Sequence, residues 1–342
     1  MLEKKKIRSA GQIPVSLIGV GGYGAKLANI IKKTELFKIV YCYHPDREKT
    51  YEAAKMIDCK PALSEKEAVC NNDVEAVIIA SPDYSHLHYI LLAIENNCHI
   101  FVEKPMVSTW EEALIVKQKL AFHNGVFLVG HNMRREAGFR LIKKEYDAGL
   151  LGQLVTFHIN LSHGGAFNWS KNYWRANPAL CREGPLRVNG VHASDVLEFL
   201  FGPIDSVYAK LANNYSPHAT PDSGFAMIQI GKALGSVSTN WNVPSINSFQ
   251  FQFTNAIIDY DLKKYIIRYG RDKDCLPTPS NEVSLPEVDS RKEQIEEFAA
   301  AILGESMVET GFPQGERSVM FFESCYRSNE RNQSVRLEEL LS

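Results

Sequence analysis

The sequence predicts an α/β chain in two parts: a doubly wound parallel sheet over residues 1–130, then an α+β domain with a largely antiparallel open sheet over residues 131–342. Three observations predict it. Through residues 13–129, short apolar runs alternate with helical apolar stripes, the pattern of a parallel sheet covered on both faces. A glycine-rich turn joins the first such run to the first stripe. Beyond residue 206 strand-like runs follow one another with no helix between them, which favours antiparallel pairing. The length of 342 residues also calls for two cores, because single cores rarely grow past ~250–300 residues.

Ile13, Val15, Leu17 and Ile18 form the first strand, and Leu27, Ile30 and Ile31 start the stripe of the first helix. Between them Gly19, Gly21 and Gly24 have the spacing G-x-G-x-x-G. The first glycine permits a tight turn, the second lets a pyrophosphate approach the backbone, and the third lets helix and strand pack closely. The helix N-terminus offers free N–H groups and a partial positive charge to the phosphates. Strand, glycine turn and helix together predict a Rossmann dinucleotide-binding domain.

The second strand, Phe37 to Tyr43, ends in Tyr43-His44-Pro45-Asp46-Arg47. An acid usually stands at this strand tip to hold the adenosine ribose of NAD. None does here. Asp46 reaches the ribose, or Arg47 meets a 2′-phosphate, or the Pro-Asp turn simply starts a helix; both NAD and NADP stay open. Ser64 to Glu67 has capping-box spacing before a short helix. Val74 to Ala80 reads as a strand buried on both faces, stopping at Ser81-Pro82-Asp83, with a helix beginning near Tyr84. His86 and His88 are two apart and point to different sides of that helix, so no metal site is expected there. Ile100 to Val102 is the next strand and ends in Glu103-Lys104-Pro105. Ser108 to Glu111 again has capping-box spacing, before a helix ending near Gly125, and Val126 to Val129 closes the sheet. The loops at the strand C-termini face the nucleotide.

In the second part a helix spans about Glu136 to Ala148, and Leu154 to Leu161 is a strand. Gly164 to Arg187 has little periodicity but contains Trp169, Tyr173, Trp174, Arg175 and Arg182, so it reads as a functional segment rather than a disordered one. A helix from His192 to Phe201 stops at Gly202-Pro203. Strands follow at Val207 to Leu211, Phe225 to Ile230, Leu234 to Trp241, Phe249 to Phe253 and Tyr265 to Tyr269. Phe249, Phe251 and Phe253 alternate with Gln250 and Gln252, which gives that strand one apolar and one polar face. Pro277 to Pro286 reads as a loop, and helices at Arg291 to Leu303 and near Ser318 to Tyr326 complete the domain.

Composition excludes several partners. Apolar content of 45%, charged content of 23% and a net charge of −2 suit a soluble protein without a nucleic-acid or membrane-surface partner. Lys4, Lys5, Lys6 and Arg8 form a basic start without an apolar run behind it, so a solvated tail is expected rather than a signal. No apolar run approaches ~18 residues. The seven cysteines are scattered without a C-x-x-C, as expected of reduced thiols in the cytoplasm.

Four patches, in order along the chain, resemble the glucose–fructose oxidoreductase / inositol dehydrogenase / rhizopine catabolism (Gfo/Idh/MocA) family: Gly19-Val-Gly-Gly-Tyr-Gly24, Ala80-Ser-Pro-Asp-Tyr-Ser-His86, Glu103-Lys-Pro105 and Gly190-Val-His-Ala-Ser-Asp195. The tail from Gln294 to Ser328 also resembles that family's closing helices. The resemblance implies a cis bond before Pro105, helices on one face of the second sheet and a partner subunit on the other, hence a homodimer or homotetramer. It implies NAD or NADP as cofactor and a sugar, cyclitol or nucleotide-sugar as substrate. The cofactor contacts expected are Gly19, Gly21, Gly22, Tyr23, Gly24, His44, Asp46, Arg47, Ser81, Pro82, His86, Glu103, Lys104 and Pro105. Substrate contacts are expected from Asn132, Arg134, Trp174, Arg175, Asn189 and Asp195.

An alcohol dehydrogenation needs a group to take the hydroxyl proton and a charge to steady the oxyanion. Lys104, ending a strand at the nucleotide edge, places an ammonium for the second task. His192 is the expected proton carrier, because imidazole titrates near neutral pH. It lies three residues before Asp195, so one helical face is expected to carry both. The resemblance also implies an acid four residues before this histidine, and Val188 stands there instead, next to Asn189. Arg175, Arg182 and Arg187 are then available for an anionic group such as a carboxylate or phosphate. A hydride-transferring dehydrogenase is the main expectation. The alternatives are a non-catalytic dinucleotide-binding regulator, an NAD-dependent glycoside hydrolase and an imine reductase.

Overall fold

A computed structural model gives the fold and describes residues 11–270 and 279–341. The basic N-terminal residues Lys4 to Arg8, and Pro277 at the start of the expected loop, lie outside the described residues. The chain divides into two compact units. The first takes the chain up to Glu103, Ile115–Gly130 and Arg291–Gly311; the second takes Lys104–Leu114, His131–Ser290 and the chain from Phe312 onward.

The first unit alternates as expected: β1 (Ile13–Ile18), α1 (Gly22–Thr34), β2 (Phe37–Tyr43), α2 (Arg47–Ile57), β3 (Lys60–Pro61), α3 (Glu65–Val69), β4 (Ala76–Ile79), α4 (His86–Glu95), β5 (His99–Val102), α5 (Trp110–Leu120, of which the part up to Leu114 counts with the second unit) and β6 (Phe127–Val129). All its pairings are parallel, in the order β3-β2-β1-β4-β5-β6, the doubly wound order of dinucleotide-binding sheets. Every residue of β4 is buried, as its unbroken apolar run requires. The Ser64 cap forms, with its hydroxyl accepting the Glu67 N–H at 3.2 Å while the Glu67 carboxylate accepts the Leu63 N–H. The second cap sits one residue later than expected. Thr109, not Ser108, caps the Glu112 N–H at 3.2 Å, and the Glu112 carboxylate takes the Ser108 N–H. α5 then stops at Leu120, short of Gly125.

The second unit contains α6 (Ala137–Asp147), β7 (Leu154–Ser162), α7 (Pro185–Val188), α8 (Gly190–Phe201), β8 (Ser206–Ala212), β9 (Ser223–Ile230), β10 (Ala233–Asn240), β11 (Ile246–Phe253), β12 (Ala256–Tyr260), β13 (Tyr265–Tyr269) and β14 (Asn281–Val283). After α9 (Ser290–Leu303) it resumes with α10 (Phe312–Arg331) and β15 (Val335–Arg336). Its sheet runs β14-β13-β12-β11-β7-β10-β9-β8-β15, antiparallel throughout except where β7 lies parallel to β10. β14 falls inside the expected loop, and α10 is longer at both ends than expected.

Phe249, Phe251 and Phe253 are buried, as their alternation predicts, and Phe139 of α6 packs edge-on against Phe249 at 4.8 Å. Gln250 points to the other face and bonds Asp259. That face is mixed rather than apolar: Phe225, Met227 and Leu234 stand half exposed among glutamine, serine and histidine. The aperiodic stretch is ordered around its aromatics. Ala166, Cys181, Val188 and Trp241 make a small separate core, and Trp169 packs edge-on against Trp241 at 4.7 Å.

The expected single division at residue 130 differs from the packing in one main respect. Helix α9, placed by sequence with the second part, belongs to the first unit's core. Phe298 stacks on Phe37 with ring centroids 5.7 Å apart and meets Phe101 edge-on. Among the described residues no helix is long and apolar enough to cross a membrane.

Candidate functional site

In the first unit the site is a turn that requires glycine at positions 19 and 24. Gly19 takes φ +89°, where side chains are strained, and its N–H donates to the Tyr43 carbonyl at 2.9 Å. A Cβ on Gly24 would fall on the Gly19 carbonyl, whose carbon would be 2.9 Å away. Helix α1 therefore lies against the turn because residue 24 carries no side chain. Gly21 and Gly22 differ: nothing stands within 4 Å of where their Cβ atoms would be. Gly21 is the N-cap of α1 and brings no side-chain cap, so open backbone and free helix N–H groups coincide. These residues fit the pyrophosphate of a dinucleotide.

The neighbouring strand tips carry the other expected cofactor contacts. Asp46 caps α2, accepting the N–H groups of Glu48 and Lys49 at 3.0 and 3.4 Å and lying 3.7 Å from Lys49 Nζ. Its oxygens are thus engaged by the helix it starts. His44 Nδ1 accepts the Asp46 N–H at 2.9 Å, and burial, with the Lys49 charge, holds its pKa below the usual value. Arg47 is exposed at the first turn of α2. Beyond β4, Pro82 precedes a single 3₁₀ turn at Asp83–Ser85, so α4 starts at His86 rather than near Tyr84. Ser81 and Ser85 bond through their hydroxyls at 2.8 Å, and buried His86 places Nε2 2.8 Å from the Ser81 carbonyl. His88 turns elsewhere, 3.0 Å from Glu65. Beyond β5, buried Glu103 lies over Gly130, where a Cβ would stand 3.0 Å from its carboxylate. The Tyr23 hydroxyl, though its residue is partly exposed, has its pKa raised by desolvation and then by Glu103, with Arg291 opposing.

In the second unit Lys104, joined to Pro105 by a cis bond, donates from Nζ to the Val188 carbonyl at 3.1 Å. Lys104 and His192 line one cavity of about 270 Å³. Val188, Asn189 and Arg175 share its wall, together with Met133, Leu161, His163 and Asn247, which the sequence analysis missed. His163 carried one usable signal, a histidine just past a strand end at the mouth of the aperiodic stretch. The others come from distant segments and carried none. Asn189 is held at both ends, donating to the Leu161 carbonyl at 3.0 Å and accepting from Trp241 Nε1 at 3.3 Å. His163 Nδ1 accepts the Gly165 N–H at 2.9 Å, which leaves the ring proton on Nε2. Burial, then the charges of Arg175 and Lys104, push its pKa down, so the ring is neutral.

At several residues here the structure shows more than the sequence gives. Helix α8 starts at Gly190, and it does not carry His192 and Asp195 on one face. Asp195 is buried in a separate network, bonded by Arg134 Nε at 3.0 Å and lying 3.7 Å from His131 Nδ1. Arg134 and Asp195, with Glu198 and Arg317, border a second cavity of about 260 Å³. Asn132 is buried and bonds the Ser290 hydroxyl at 2.9 Å. Nor are Arg182 and Arg187 available to an anion. Arg182 pairs with Glu183 and Glu323 at 2.7 and 2.6 Å; Arg187 bonds Glu183, the Leu180 carbonyl and the Ser108 hydroxyl. The Arg187 guanidinium replaces its hydration with partners inside the fold, whereas Arg182 stays partly exposed with two carboxylates on it. Trp174 stacks on Arg175, whose Cζ lies 4.9 Å from the indole centroid.

The fold matches solved structures along almost its whole length. A proposed NADPH-dependent oxidoreductase from Desulfitobacterium hafniense superposes with a TM-score of 0.91 at 24% identity, covering 98% of this chain and 100% of the other. Levoglucosan dehydrogenase in complex with NADH and levoglucosan gives a TM-score of 0.86 at 21% identity, covering 95% and 99%. Curated relatives include a 2,7-anhydro-N-acetylneuraminate hydratase of Mediterraneibacter gnavus, 28% identical over 55% of this chain and 49% of the relative. They also include a scyllo-inositol 2-dehydrogenase (NADP(+)) of Bacillus subtilis, 25% identical over 78% and 71%. The chain spans about half the length of the first of these. Residues 13–131 match the family described as "Oxidoreductase family, NAD-binding Rossmann fold", and residues 139–259 match the "GFO/IDH/MocA C-terminal domain". With both domains matched in order, the chain belongs to the Gfo/Idh/MocA oxidoreductase family.

Proposed function

We propose that this protein is an NAD(P)-dependent dehydrogenase acting on a hydroxyl of a monosaccharide-sized sugar or cyclitol. One observation carries the reading: Lys104 and His192 share a cavity, and the Lys104 ammonium is aimed by the Val188 carbonyl. Its volume of about 270 Å³ suits a single ring better than a nucleotide-sugar. The nicotinamide, when bound, supplies the acceptor for the hydride that leaves the carbinol carbon. His192 takes the hydroxyl proton, and the Lys104 charge balances the oxygen as the carbonyl forms. The neutral His163 ring offers a further N–H donor to the substrate.

The engagement of Asp46 as a helix cap supports NADP over NAD, because it leaves Arg47 as the charged group free to meet a 2′-phosphate. The half-exposed Phe225, Met227 and Leu234 support a homodimer or homotetramer assembled through the open sheet face. The free thiols of the described cysteines suit the cytoplasm.

The test is a fluorescence titration with NADH and NADPH, followed by a screen of polyols and sugars for net cofactor reduction. A second reading follows from the hydratase relatives, whose names imply no net oxidation. Conversion of a substrate without net change in added cofactor would favour it. Tight dinucleotide binding with no conversion of any kind would favour a regulator.

A further inference from the structure

The cavity of Lys104 and His192 has walls of one sign. Lys104 and Arg175 both line it, and no aspartate or glutamate does. At the position where the family resemblance implies an acid, Val188 presents an apolar side chain and gives Lys104 only a carbonyl oxygen. Arg134, Arg182 and Arg187 in the same unit each have a carboxylate partner. Arg175 has none among the described residues. Its Cζ lies 4.9 and 5.8 Å from the ring centroids of Trp174 and Tyr173, and its Nε is buried without a hydrogen-bond partner. A guanidinium that rests against aromatic rings and has no carboxylate partner keeps N–H donors for a ligand. His163 adds a neutral Nε2–H donor on the same wall, because its Nδ1 is taken by the Gly165 N–H. The exposed Asn247 amide adds another polar group. Burial first, then the charges of Arg175 and Lys104, lower the pKa of the His163 ring on the same wall. A guanidinium with no carboxylate partner, in a partly buried space whose lining holds no aspartate or glutamate, favours a negatively charged guest.

We propose that the substrate is an anionic sugar or cyclitol derivative, whose carboxylate or phosphate is bound by Arg175 while its reacting hydroxyl lies at Lys104 and His192. This rests on the dehydrogenase reading for the role of Lys104 and His192, but the anion subsite has its own readout. The fork of Arg175 accepts a carboxylate or a phosphate bidentately, so the shared chemistry is an oxyanion about one sugar ring from the reacting carbon.

The test uses the full-length protein and three matched probes: a hexose, the corresponding hexuronate and the hexose 6-phosphate. Binding is read by calorimetry on His192→Asn, in which chemistry is blocked, and turnover by cofactor reduction on the unmodified protein. At least one anionic probe should bind about 10-fold or more tightly than the hexose, and the preferred one identifies carboxylate or phosphate as the group. Adding Arg175→Gln should remove that preference, Arg175→Lys should restore part of it, and Lys171→Gln, an exposed cation in the same stretch, should leave it intact. Arg175-dependent binding of an anion without cofactor reduction on any probe would overturn the dehydrogenase reading and keep the anion subsite. Equal binding of the hexose and both anions, or a preference that survives Arg175→Gln, would overturn the subsite whatever the turnover.

Discussion

Gly21 and Gly24 differ by three positions, yet the structure predicts opposite consequences for the same substitution. Gly21 has φ −67° and ψ −171°, open to any residue, and its Cβ would stand in empty space. Gly21→Ala narrows the unfolded ensemble, a gain of about 0.4–1 kcal/mol. It also replaces glycine by a poorer N-cap residue, a loss of about the same size. Stability should therefore change by no more than about 1 kcal/mol. The methyl, however, stands where the pyrophosphate approaches the backbone. Hydrogen bonds to charged groups contribute about 1.5–3 kcal/mol each, so losing one raises Kd for the dinucleotide about 10- to 150-fold. At Gly24 the methyl meets the Gly19 carbonyl, which is backbone and cannot rotate away. Overpacking of this kind costs about 1–3 kcal/mol or more, and α1 must shift from β1.

The assay pairs urea unfolding followed by circular dichroism with NADPH fluorescence titration. Gly21→Ala should unfold with the unmodified protein and bind poorly, whereas Gly24→Ala should unfold at lower urea. If Gly21→Ala binds NADPH as tightly as the unmodified protein, the open space over the turn is not the phosphate cradle. If both variants lose stability equally, the separation of the two glycines by their surroundings is wrong.

Arg47→Ala should lower the ratio of NADPH to NADH affinity, measured by the same titration; an unchanged ratio denies Arg47 any part in reading the 2′ group. Lys104→Met and His192→Asn should each lower kcat by ~10²–10⁴-fold with dinucleotide binding kept, and the double variant should lose less than the product. Activity on a true substrate that survives both changes would refute the assignment. Light scattering should find a dimer or larger assembly, and Met227→Glu on the open sheet face should dissociate it; a monomer at high concentration contradicts the interface. His131 is fully buried, and its pKa is pushed down to about 4 by burial, with Asp195 opposing. The unfolded chain binds a proton near pH 6.5 that the folded state refuses until about pH 4, so stability falls as pH drops across that window. The loss attributable to His131 is about 3 kcal/mol, and His131→Asn should flatten the dependence in urea unfolding at pH 6.5, 5 and 4.

The first sheet was legible because its signals are local. A run such as Val77-Ile78-Ile79 can only be buried on both faces, and each glycine of the turn answers a steric demand from a residue close in sequence or in the adjoining strand. Two-residue strands such as β3 and β15 left no periodicity to read. The cap before α5 was displaced by one because Ser108 and Thr109 are adjacent, as are Glu111 and Glu112, so both spacings fit. Where a helix docks is a different kind of information. The apolar stripe of α9 announces a helix, but nothing in it says that Phe298 stacks on Phe37, more than 250 residues away in the chain.

The second site was legible only in part, for the same reason turned around. Lys104 and His192 stood out by residue type and motif, and the cavity joins them. The same motif misled at Asp195, since three residues along a helix turn the side chain by 60° relative to His192. That rotation is enough to place the carboxylate against Arg134 and His131 instead. Arginine is where sequence is weakest. Arg175, Arg182 and Arg187 look alike in the chain, and only packing separates them, because Glu183 neutralises two of the three from a single buried position. The valine at 188 then takes on a specific meaning. An acid there would add a negative charge to the wall that holds Lys104 and Arg175. With valine, position 188 offers Lys104 its backbone carbonyl and no carboxylate. Under the proposed anion subsite, charge and proton transfer should respond separately to a change at this position. Lowering the positive charge by Val188→Asp should weaken anion binding even where it quickens proton transfer.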